Sequence, residues 1–215
     1  MKAVATRKPG RPVDPELRDR RCEEILDAAL KLFAEHGYSG ADTQVLADQL
    51  GVGKGTLYRY FASKERLFLA AVDRVMRRLR ATVDAAMTGI DDPLEQIGRA
   101  VRAYLGFVSD NPDFVEILIQ ERAHFKDRKK PTYFEHREAN IERWRTLYRS
   151  LMSEGRLRKM PVERITDVFG DLMYGTMFTN YFTGSRKSPD EQAKAILDVM
   201  FCGILSPEEQ RCRNG

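Results

Sequence analysis

Apolar side chains recur at helical spacing along nearly the whole of this 215-residue chain beyond residue 20. In the segment CEEILDAALKLFAEHG they fall at every third or fourth position, and Gly37 stands where a helix would end. The apolar positions of that segment are Ile25, Leu26, Ala29, Leu30 and Phe33. No alternating, β-branched run of strand length competes with this pattern. The chain is therefore predicted to be all-α, with about nine helices.

Helix start signals divide this pattern into separate elements. Asp42 is a predicted N-cap of a short helix, and Ser63 is a predicted N-cap of a longer one. The segments DPLE at 92–95 and SPDE at 188–191 each combine an N-cap, a proline and an acidic residue in the first turn. Asn111, which precedes a proline, is predicted to open a helix in the same way.

Composition limits the classes to which the chain can belong. With 42% hydrophobic residues it can bury a core, yet it contains no run of 18 apolar residues, so we expect no membrane span. The charged N-terminus lacks the apolar segment of a secretory signal. Cys22, Cys202 and Cys212 have no C-x-x-C spacing, which argues against a disulfide framework or a zinc site. These features predict a cytoplasmic protein without a metal ion or cofactor.

Positive charge is concentrated at the N-terminus. Residues 1–21 contain seven Lys and Arg against three Asp and Glu, a surplus of four that equals the formal net charge of the whole protein. A basic arm on a neutral body indicates attraction of one end of the protein to a polyanion. A solubilising tail is an equally good interpretation from charge alone.

The stretch LADQLGVGKGTLYRYFASKERLF, residues 46–68, places three glycines between two short helical runs. A phosphate-binding P-loop would need G-x-x-x-x-G-K-[ST] after a buried strand, and the segment before these glycines is an amphipathic helix. A helix-turn-helix fits instead. Ala47 lets a second helix cross closely, Gly51 supplies a positive φ, and Val52 and Leu57 point inward.

This stretch, with TQVLADQL before it and ILDAALKLFAEHGY further upstream, resembles the DNA-binding domain of the TetR family of transcriptional regulators. The resemblance covers residues from about 22 to 76, and K-G-T-L-Y-R-Y-F-x-S-K-E is specific among helix-turn-helix proteins. Two positions depart from the family pattern. Gly53 stands where the family often has serine, and Thr43 stands where it often has an apolar residue.

The resemblance implies a set of DNA-contacting residues in this chain. We expect Lys54 to read guanine, Gln44 to contact an adenine edge or a phosphate, and Lys64 to contact a phosphate. The full predicted set is Thr43, Gln44, Lys54, Gly55, Thr56, Tyr58, Tyr60 and Lys64. The basic segment RKPGRP, Arg7–Pro12, is a candidate for minor-groove insertion or for general attraction to phosphates. The predicted partner is a double-stranded, near-palindromic operator.

The resemblance also implies a domain order: a basic arm (1–20), a helix-turn-helix domain (21–66), a helical regulatory and dimerisation domain (67–205) and a C-terminal tail (206–215). The segment Ile165–Phe182 is apolar almost all round, which predicts a homodimer. A small-molecule effector is implied by the resemblance alone. We expect a mainly apolar molecule, with cationic molecules among the candidates. The predicted pocket residues are Tyr104, Phe107, Ile117, Gln120, Glu121, His124, Trp144, Tyr148, Met152 and Met173.

Three other functions were weighed against a ligand-relieved repressor. An enzyme is excluded because no G-x-S-x-G, H-E-x-x-H or Cys/His constellation appears. A metal-binding function is disfavoured because His124 and His136 with Glu121 lack H-x-x-x-H spacing, and exposed helix residues are the better interpretation. A constitutive architectural DNA-binding protein remains the strongest alternative, although some 125 residues of helix beyond the motif favour regulation.

Overall fold

The computed structural model describes residues 15–184 and 187–203, and within them every regular element is an α-helix. The all-α prediction is confirmed, and the described residues form nine helices. None of these helices combines the length and low charge that crossing a bilayer requires. The helices are α1 Pro15–Gly40, α2 Thr43–Gln49, α3 Lys54–Tyr60, α4 Lys64–Met87, α5 Pro93–Asp110, α6 Pro112–His124, α7 Thr132–Ser153, α8 Val162–Thr183 and α9 Pro189–Cys202.

The predicted N-caps form the expected hydrogen bonds, with one exception. The Asp42 carboxylate accepts from the backbone N–H of the second residue of α2, and the Ser63 hydroxyl accepts from the third residue of α4. Ser188 forms a complete capping box with Glu191. Asn111 precedes α6 as predicted, but its side chain donates backward to a carbonyl of α5 instead of capping α6.

Helix α1 begins earlier than the sequence predicted. It starts at Pro15, so residues 15–20, which we assigned to the basic N-terminal arm, are helical. Gly37 breaks the helix as expected, because it adopts φ 66° and ψ 165° before one further turn that ends at Gly40. The segment Arg7–Pro12, Cys212 and the tail 206–215 lie outside the described residues.

The chain divides into two compact units, one up to Ala71 and the other from Val72 onward, and α4 contributes residues to both. The core of the first unit contains an aromatic cluster, in which Phe33 and Phe68 have ring centroids 5.0 Å apart. Its fully buried side chains are Ile25, Ala29, Phe33, Leu46, Ala47, Leu57, Leu67, Phe68 and Ala71.

In the second unit, α5 packs along α9 and α7 packs along α8. Three residues of α5, spaced by four, face this core: Ile97, Val101 and Leu105. They meet side chains of α7, α8 and α9, namely Tyr148, Leu151, Val162, Met173 and Ala193. This arrangement leaves room for a cavity between α4, α5, α7 and α8.

Candidate nucleic-acid interface and ligand cavity

The turn between α2 and α3 has the geometry that a helix-turn-helix requires. Gly51 takes φ 64°, a conformation that an L-amino acid adopts only with strain. The next residue, Val52, donates its backbone N–H to Ala47 at 2.9 Å and thereby closes the turn. Ala47 and Leu57 are fully buried, while Val52 is only half-buried. These contacts fix α3 against α2.

The first turn of α3 presents an accessible polar surface. Gly53 is its N-cap, without a side-chain hydrogen bond, and its carbonyl accepts from Thr56 at 2.7 Å. Lys54 and Gly55 are exposed. A Cβ atom built on Gly55 would meet no protein atom within 4 Å, so the protein's own packing leaves this position free.

Two predicted base-reading side chains are held by carboxylates of α2 and its cap. The Lys54 ammonium lies 3.7 Å from the Asp42 carboxylate. The Gln44 amide donates to the Asp48 carboxylate at 2.8 Å. Each of these contacts must be exchanged or shared if the side chain binds DNA.

Thr43, predicted to face the DNA, is instead 3% exposed. Its hydroxyl lies 3.0 Å from the hydroxyl of Tyr58, so it orients the half-buried Tyr58 ring between α2 and α3. A buried hydroxyl needs a hydrogen-bond partner, and Tyr58 supplies it. Thr43 is therefore a positioning residue for Tyr58.

Lys64 is ordered by a second set of contacts. Its ammonium donates to the Ser39 carbonyl at 3.2 Å and lies 5.1 Å from the centre of the Tyr38 ring. This cation–π contact holds the charge near the start of α4, where it was predicted to meet a phosphate. Tyr60 and Thr56 are half-buried on α3, and Arg59 is exposed.

The second unit contains a cavity of about 200 Å³ that is open to solvent on one side. Its walls come from α4, α5, α7 and α8 and are mainly apolar. The apolar lining residues are Met76, Leu79, Val83, Ile97, Ala100, Val101, Ile141, Trp144, Phe169 and Met173.

Four of the ten predicted pocket residues line this cavity: Tyr104, Trp144, Tyr148 and Met173. The other six lie outside it, namely Phe107, Ile117, Gln120, Glu121, His124 and Met152. Four of these belong to α6, which contributes no residue to the lining. Met152 packs against the α5–α9 core, and Phe107 packs edge-on against Phe114 of α6.

Glu121 has a different role from the predicted one. It is 1% exposed and forms an ion pair with Arg128. Its carboxylate also accepts the backbone N–H of Thr132 at 3.0 Å and the Thr132 hydroxyl at 2.8 Å. The carboxylate thus binds the first residue of α7 and joins α6 to α7 across the intervening loop.

Two tyrosine hydroxyls form a polar site in the cavity wall. The hydroxyls of Tyr104 and Tyr133 lie 3.2 Å apart, and the Tyr104 hydroxyl also donates to the sulfur of Met177 at 3.5 Å. Burial raises the pKa of both tyrosines, so both stay protonated at neutral pH. They can donate hydrogen bonds to a ligand only by exchanging these contacts.

Sequence reasoning missed the charged lining residues of α4 and α7. These residues are Arg80, Asp84, His136, Arg137 and Arg143, with Asn140 as a neutral polar neighbour. Charges at helical spacing are most often solvated, so the sequence alone gave no signal that they face a cavity.

Side-chain pairs join α4 to α7 beside the cavity. The imidazole Nε2 of His136 lies 2.7 Å from the Asp73 carboxylate. Arg143 forms an ion pair with Asp84, which also lies 3.5 Å from the Arg80 guanidinium. Among the described residues, no three His, Cys, Asp or Glu side chains are grouped closely enough to hold a metal ion.

Comparison with known proteins gives the same division of the chain. The family model named "Bacterial regulatory proteins, tetR family" matches residues 25–71. A second model, "Tetracyclin repressor-like, C-terminal domain", matches residues 90–204 and so covers more than half of the chain.

Two curated relatives differ in their named functions. The HTH-type transcriptional activator FasR of Mycolicibacterium smegmatis is 31% identical over 103 residues, which are 48% of this chain and 47% of that protein. The chain thus spans about half of the activator's length. The nucleoid occlusion factor SlmA of Vibrio vulnificus is 31% identical over 155 residues, which are 68% of this chain and 75% of that protein.

The fold also matches solved structures. The regulator FadR from Bacillus subtilis, solved in complex with stearoyl-CoA, superposes with a TM-score of 0.69 at 16% sequence identity. The superposition covers 85% of this chain and 99% of that one. At this identity the similarity establishes the shared fold alone.

Proposed function

Because the chain belongs to the TetR family of bacterial transcriptional regulators, we propose that it represses transcription by binding operator DNA as a homodimer. A small ligand in the α4–α8 cavity would weaken that binding. The observation that carries this proposal is the coexistence of an exposed α3 surface in one compact unit and an apolar cavity in the other. The protein is a DNA-binding regulator and not an enzyme.

The first unit supplies the groups that DNA recognition needs. Lys54 and Gly55 are exposed at the start of α3, where helix-turn-helix proteins contact base edges in the major groove. Lys64 and Tyr58 are held in fixed positions by contacts inside the unit. Ordered donors beside a short reading helix favour phosphate contacts that set the register of the protein on DNA.

Exposed apolar side chains on α8 and α9 support the homodimer. Phe182 is 67% exposed and Val168 is 53% exposed, and Leu172, Val199 and Phe201 add to the same two helices. Exposed apolar surface of this kind marks an interaction site when it is contiguous, and all five residues belong to two consecutive helices, which are joined by the Asn180–Gln192 hydrogen bond. A symmetric dimer would bury the same surface on both copies.

Light scattering tests the dimer directly. We expect the wild-type protein to be dimeric at micromolar concentration, and Val168→Glu to shift it to monomer because a carboxylate would be buried in the interface. Leu17→Glu, a change at an equally exposed apolar residue of α1, is the control and should remain dimeric. A monomeric wild-type protein removes the dimer from the proposal.

α4 gives the two units a shared element, since it runs from Lys64 in the first unit to Met87 in the second. Its residues Met76, Leu79, Val83 and Asp84 line the cavity. A ligand can change operator affinity only if it binds the DNA-competent and DNA-incompetent states with different affinities. Contacts with α4 are the means by which such a difference would arise.

The decisive experiment couples the two sites. An operator is first selected from a randomised DNA library, and compounds are then screened by Trp144 fluorescence, since this single tryptophan lines the cavity. An inducer should lose affinity in the presence of operator by the same factor by which it weakens operator binding. A cavity ligand that binds equally with and without operator overturns the induction proposal.

An architectural role is the second candidate, because the relative SlmA is named a nucleoid occlusion factor and matches 68% of this chain. In that case the library would still yield a binding sequence, but no cavity ligand would alter DNA affinity.

The direction of regulation is tested separately. A reporter placed behind the selected operator should be repressed by the protein, whereas increased expression would assign the chain to activators, as FasR is named.

A further inference from the structure

The charge around the cavity is positive. Among the lining residues that the structure describes, three are arginines, at positions 80, 137 and 143, and one is a carboxylate, Asp84. His136 adds an imidazole, whose Nε2 lies 2.7 Å from the Asp73 carboxylate. The carboxylate of Glu121, which a cationic ligand would have needed, is buried elsewhere against Arg128. An anionic group is therefore better matched to this wall than a cationic one.

Arg137 is the best placed of the three arginines. Its side chain is only 20% exposed and crosses from α7 to α8. One Nη donates to the Asp171 carboxylate at 2.7 Å, and the other donates to the carbonyls of Thr166 and Asp167 at 3.5 and 3.2 Å. A guanidinium has five N–H donors. Within the described part of the chain, these contacts leave Nε–H and one Nη1 proton without an acceptor.

The partner of Arg137 does not fully neutralise it. Asp171 is 75% exposed, so solvent and salt screen its attraction to the guanidinium. Arg143, by contrast, is paired with Asp84, and Asp84 is shared with Arg80. Arg137 therefore combines a position fixed by contacts with α8, the lowest exposure of the three arginines and donors that no contact within the described residues uses.

Gly170 makes room for this guanidinium. A Cβ atom at position 170 would lie 2.5 Å from two atoms of the Arg137 head group. Any larger residue would push the head group away from its present position. The packing of Arg137 thus explains why a glycine occupies position 170 in the middle of α8, although glycine lowers helix stability.

The size of the cavity limits the ligand. Its volume is about 200 Å³, compared with roughly 150 Å³ for a protein cavity that accommodates benzene. One ring, or an aliphatic body of comparable bulk, would fill the apolar part between Val101, Phe169 and Met173. A long acyl chain exceeds this volume, so part of it would lie outside the apolar part of the cavity.

We propose that the effector is a compact apolar acid whose anionic group binds Arg137. This inference rests on the proposed ligand-responsive function, because it names the chemical class that the same cavity accepts. The carboxylate would accept a charge-assisted hydrogen bond from the Nη1 proton that Asp171 leaves free. The bidentate edge formed by Nε and Nη2 is not open to it, because Nη2 already donates to the Thr166 and Asp167 carbonyls. The apolar body would contact Trp144 and the α5 and α8 walls.

A matched series of probes tests the charge preference. Titration calorimetry on the full chain would compare 4-phenylbutyrate, 4-phenylbutanol and 4-phenylbutylamine, which share one carbon skeleton. We expect the acid to bind about tenfold or more tightly than the alcohol, and the amine to bind most weakly. Dodecanoate, which has a longer body, should bind more weakly than 4-phenylbutyrate. Equal binding of acid and alcohol overturns the inference, and so does tighter binding of the amine.

Two variants identify the responsible residue. Arg137→Gln should reduce the preference for acid over alcohol to about threefold or less. Gly170→Ala should do the same without removing a charge, because its methyl group displaces the guanidinium. Gly175→Ala is the control: it lies on the same helix, meets no atom within 4 Å and should keep the wild-type preference. Thermal melts establish that all three variants are folded.

The outcomes separate this inference from the proposed function. If the acid binds through Arg137 but leaves operator affinity unchanged, the ligand class stands and the induction proposal fails. If alcohol and acid bind equally and both weaken operator binding, induction stands and the anionic class is wrong. If Gly170→Ala keeps the preference while Arg137→Gln loses it, Arg137 acts through long-range charge and not through the direct contact proposed.

Discussion

The candidate DNA-binding surface and the cavity of the second unit differ in how far apart in sequence their contacting residues lie. Thr43 and Tyr58, which meet between α2 and α3, are 15 residues apart. Around the cavity, Arg143 and Asp84 are 59 residues apart, and His136 and Asp73 are 63 apart. The first site is assembled within one short stretch of chain, whereas the second exists only after four helices have packed together.

This difference determines what a substitution does. In the first unit a surface side chain can be changed with the turn and the buried faces of α2 and α3 left intact. In the second unit the polar residues beside the cavity also tie helices together, so a change at one position affects both binding and packing. We expect the largest energetic effects in the second unit and smaller, more separable effects in the first.

The strongest test of this contrast is Glu121→Ala. It would leave Arg128 without its buried partner and the first N–H of α7 without an acceptor. Breaking a buried ion pair by removing one partner typically costs about 3–5 kcal/mol. We expect the free energy of unfolding, measured by urea denaturation, to fall by about that amount.

The control for Glu121 is Glu135→Ala. Glu135 pairs with the same Arg128 but is half exposed, so its removal should cost about 0–1 kcal/mol. Similar losses for both variants would mean that the α6–α7 connection is no more critical than a surface ion pair. The expectation that substitutions in the second unit cost the most stability would then be wrong.

The next largest effect tests whether DNA recognition can be changed without a loss of stability. Lys54→Ala should weaken operator binding by about 1–3 kcal/mol per half-site and relax the base preference at one position. Lys64→Ala should weaken binding to all sequences alike and reduce the salt slope by about 1. Both variants are measured on a randomised operator library. Uniform loss in both cases would make Lys54 a phosphate contact only.

The sequence predicted residues of the first unit more accurately than those that line the cavity. Asp42, Gly51 and Lys54 were placed correctly as N-cap, turn glycine and exposed residue, because each depends on neighbours within a few positions. Thr43 was misplaced, because its burial depends on where the Tyr58 ring lies after α3 has packed on α2.

The cavity was predicted less well because its residues have no local signature. Glu121 and Arg137 look alike in sequence, as charged residues on amphipathic helices. In the structure Glu121 joins α6 to α7, whereas Arg137 lines the cavity beside Gly170. Which charge is buried depends on helix pairing, and periodicity within a single helix does not contain that information.

A smaller effect is expected at the turn itself. Gly51→Ala would force a side chain into φ 64° and should reduce stability by about 1–2 kcal/mol. Gly55→Ala is the control, since Gly55 has no positive φ and its Cβ would meet no protein atom. Denaturation should show a loss only for Gly51→Ala. If Gly55→Ala also lowers operator affinity while leaving stability intact, close approach of the α3 backbone to DNA is established.

The smallest effect, and one of opposite sign, is expected from Asp42→Asn. Asn caps a helix as well as Asp does, so α2 should keep its start. The substitution removes the carboxylate that lies 3.7 Å from the Lys54 ammonium. Lys54 would then meet DNA without exchanging a partner, and operator affinity should rise by up to about 1 kcal/mol per half-site. The salt dependence should become steeper by at most about 1 per half-site, because one more cation is free to displace counterions.

The control for Asp42→Asn is Asp48→Asn, which removes the same charge from α2 but leaves the Lys54 contact in place. Asp48→Asn also releases the Gln44 amide, so a gain common to both variants reflects the loss of a negative charge near the phosphates or the release of a side chain that is predicted to contact DNA. The additional gain of Asp42→Asn should vanish when Lys54 is replaced by alanine, since the pair no longer exists. If it persists in the Lys54→Ala background, Asp42 acts on DNA directly and does not restrain Lys54. In that case the contacts that order side chains in the first unit contribute only to the stability of the fold. DNA recognition then depends on the charges of these side chains and not on the contacts that position them.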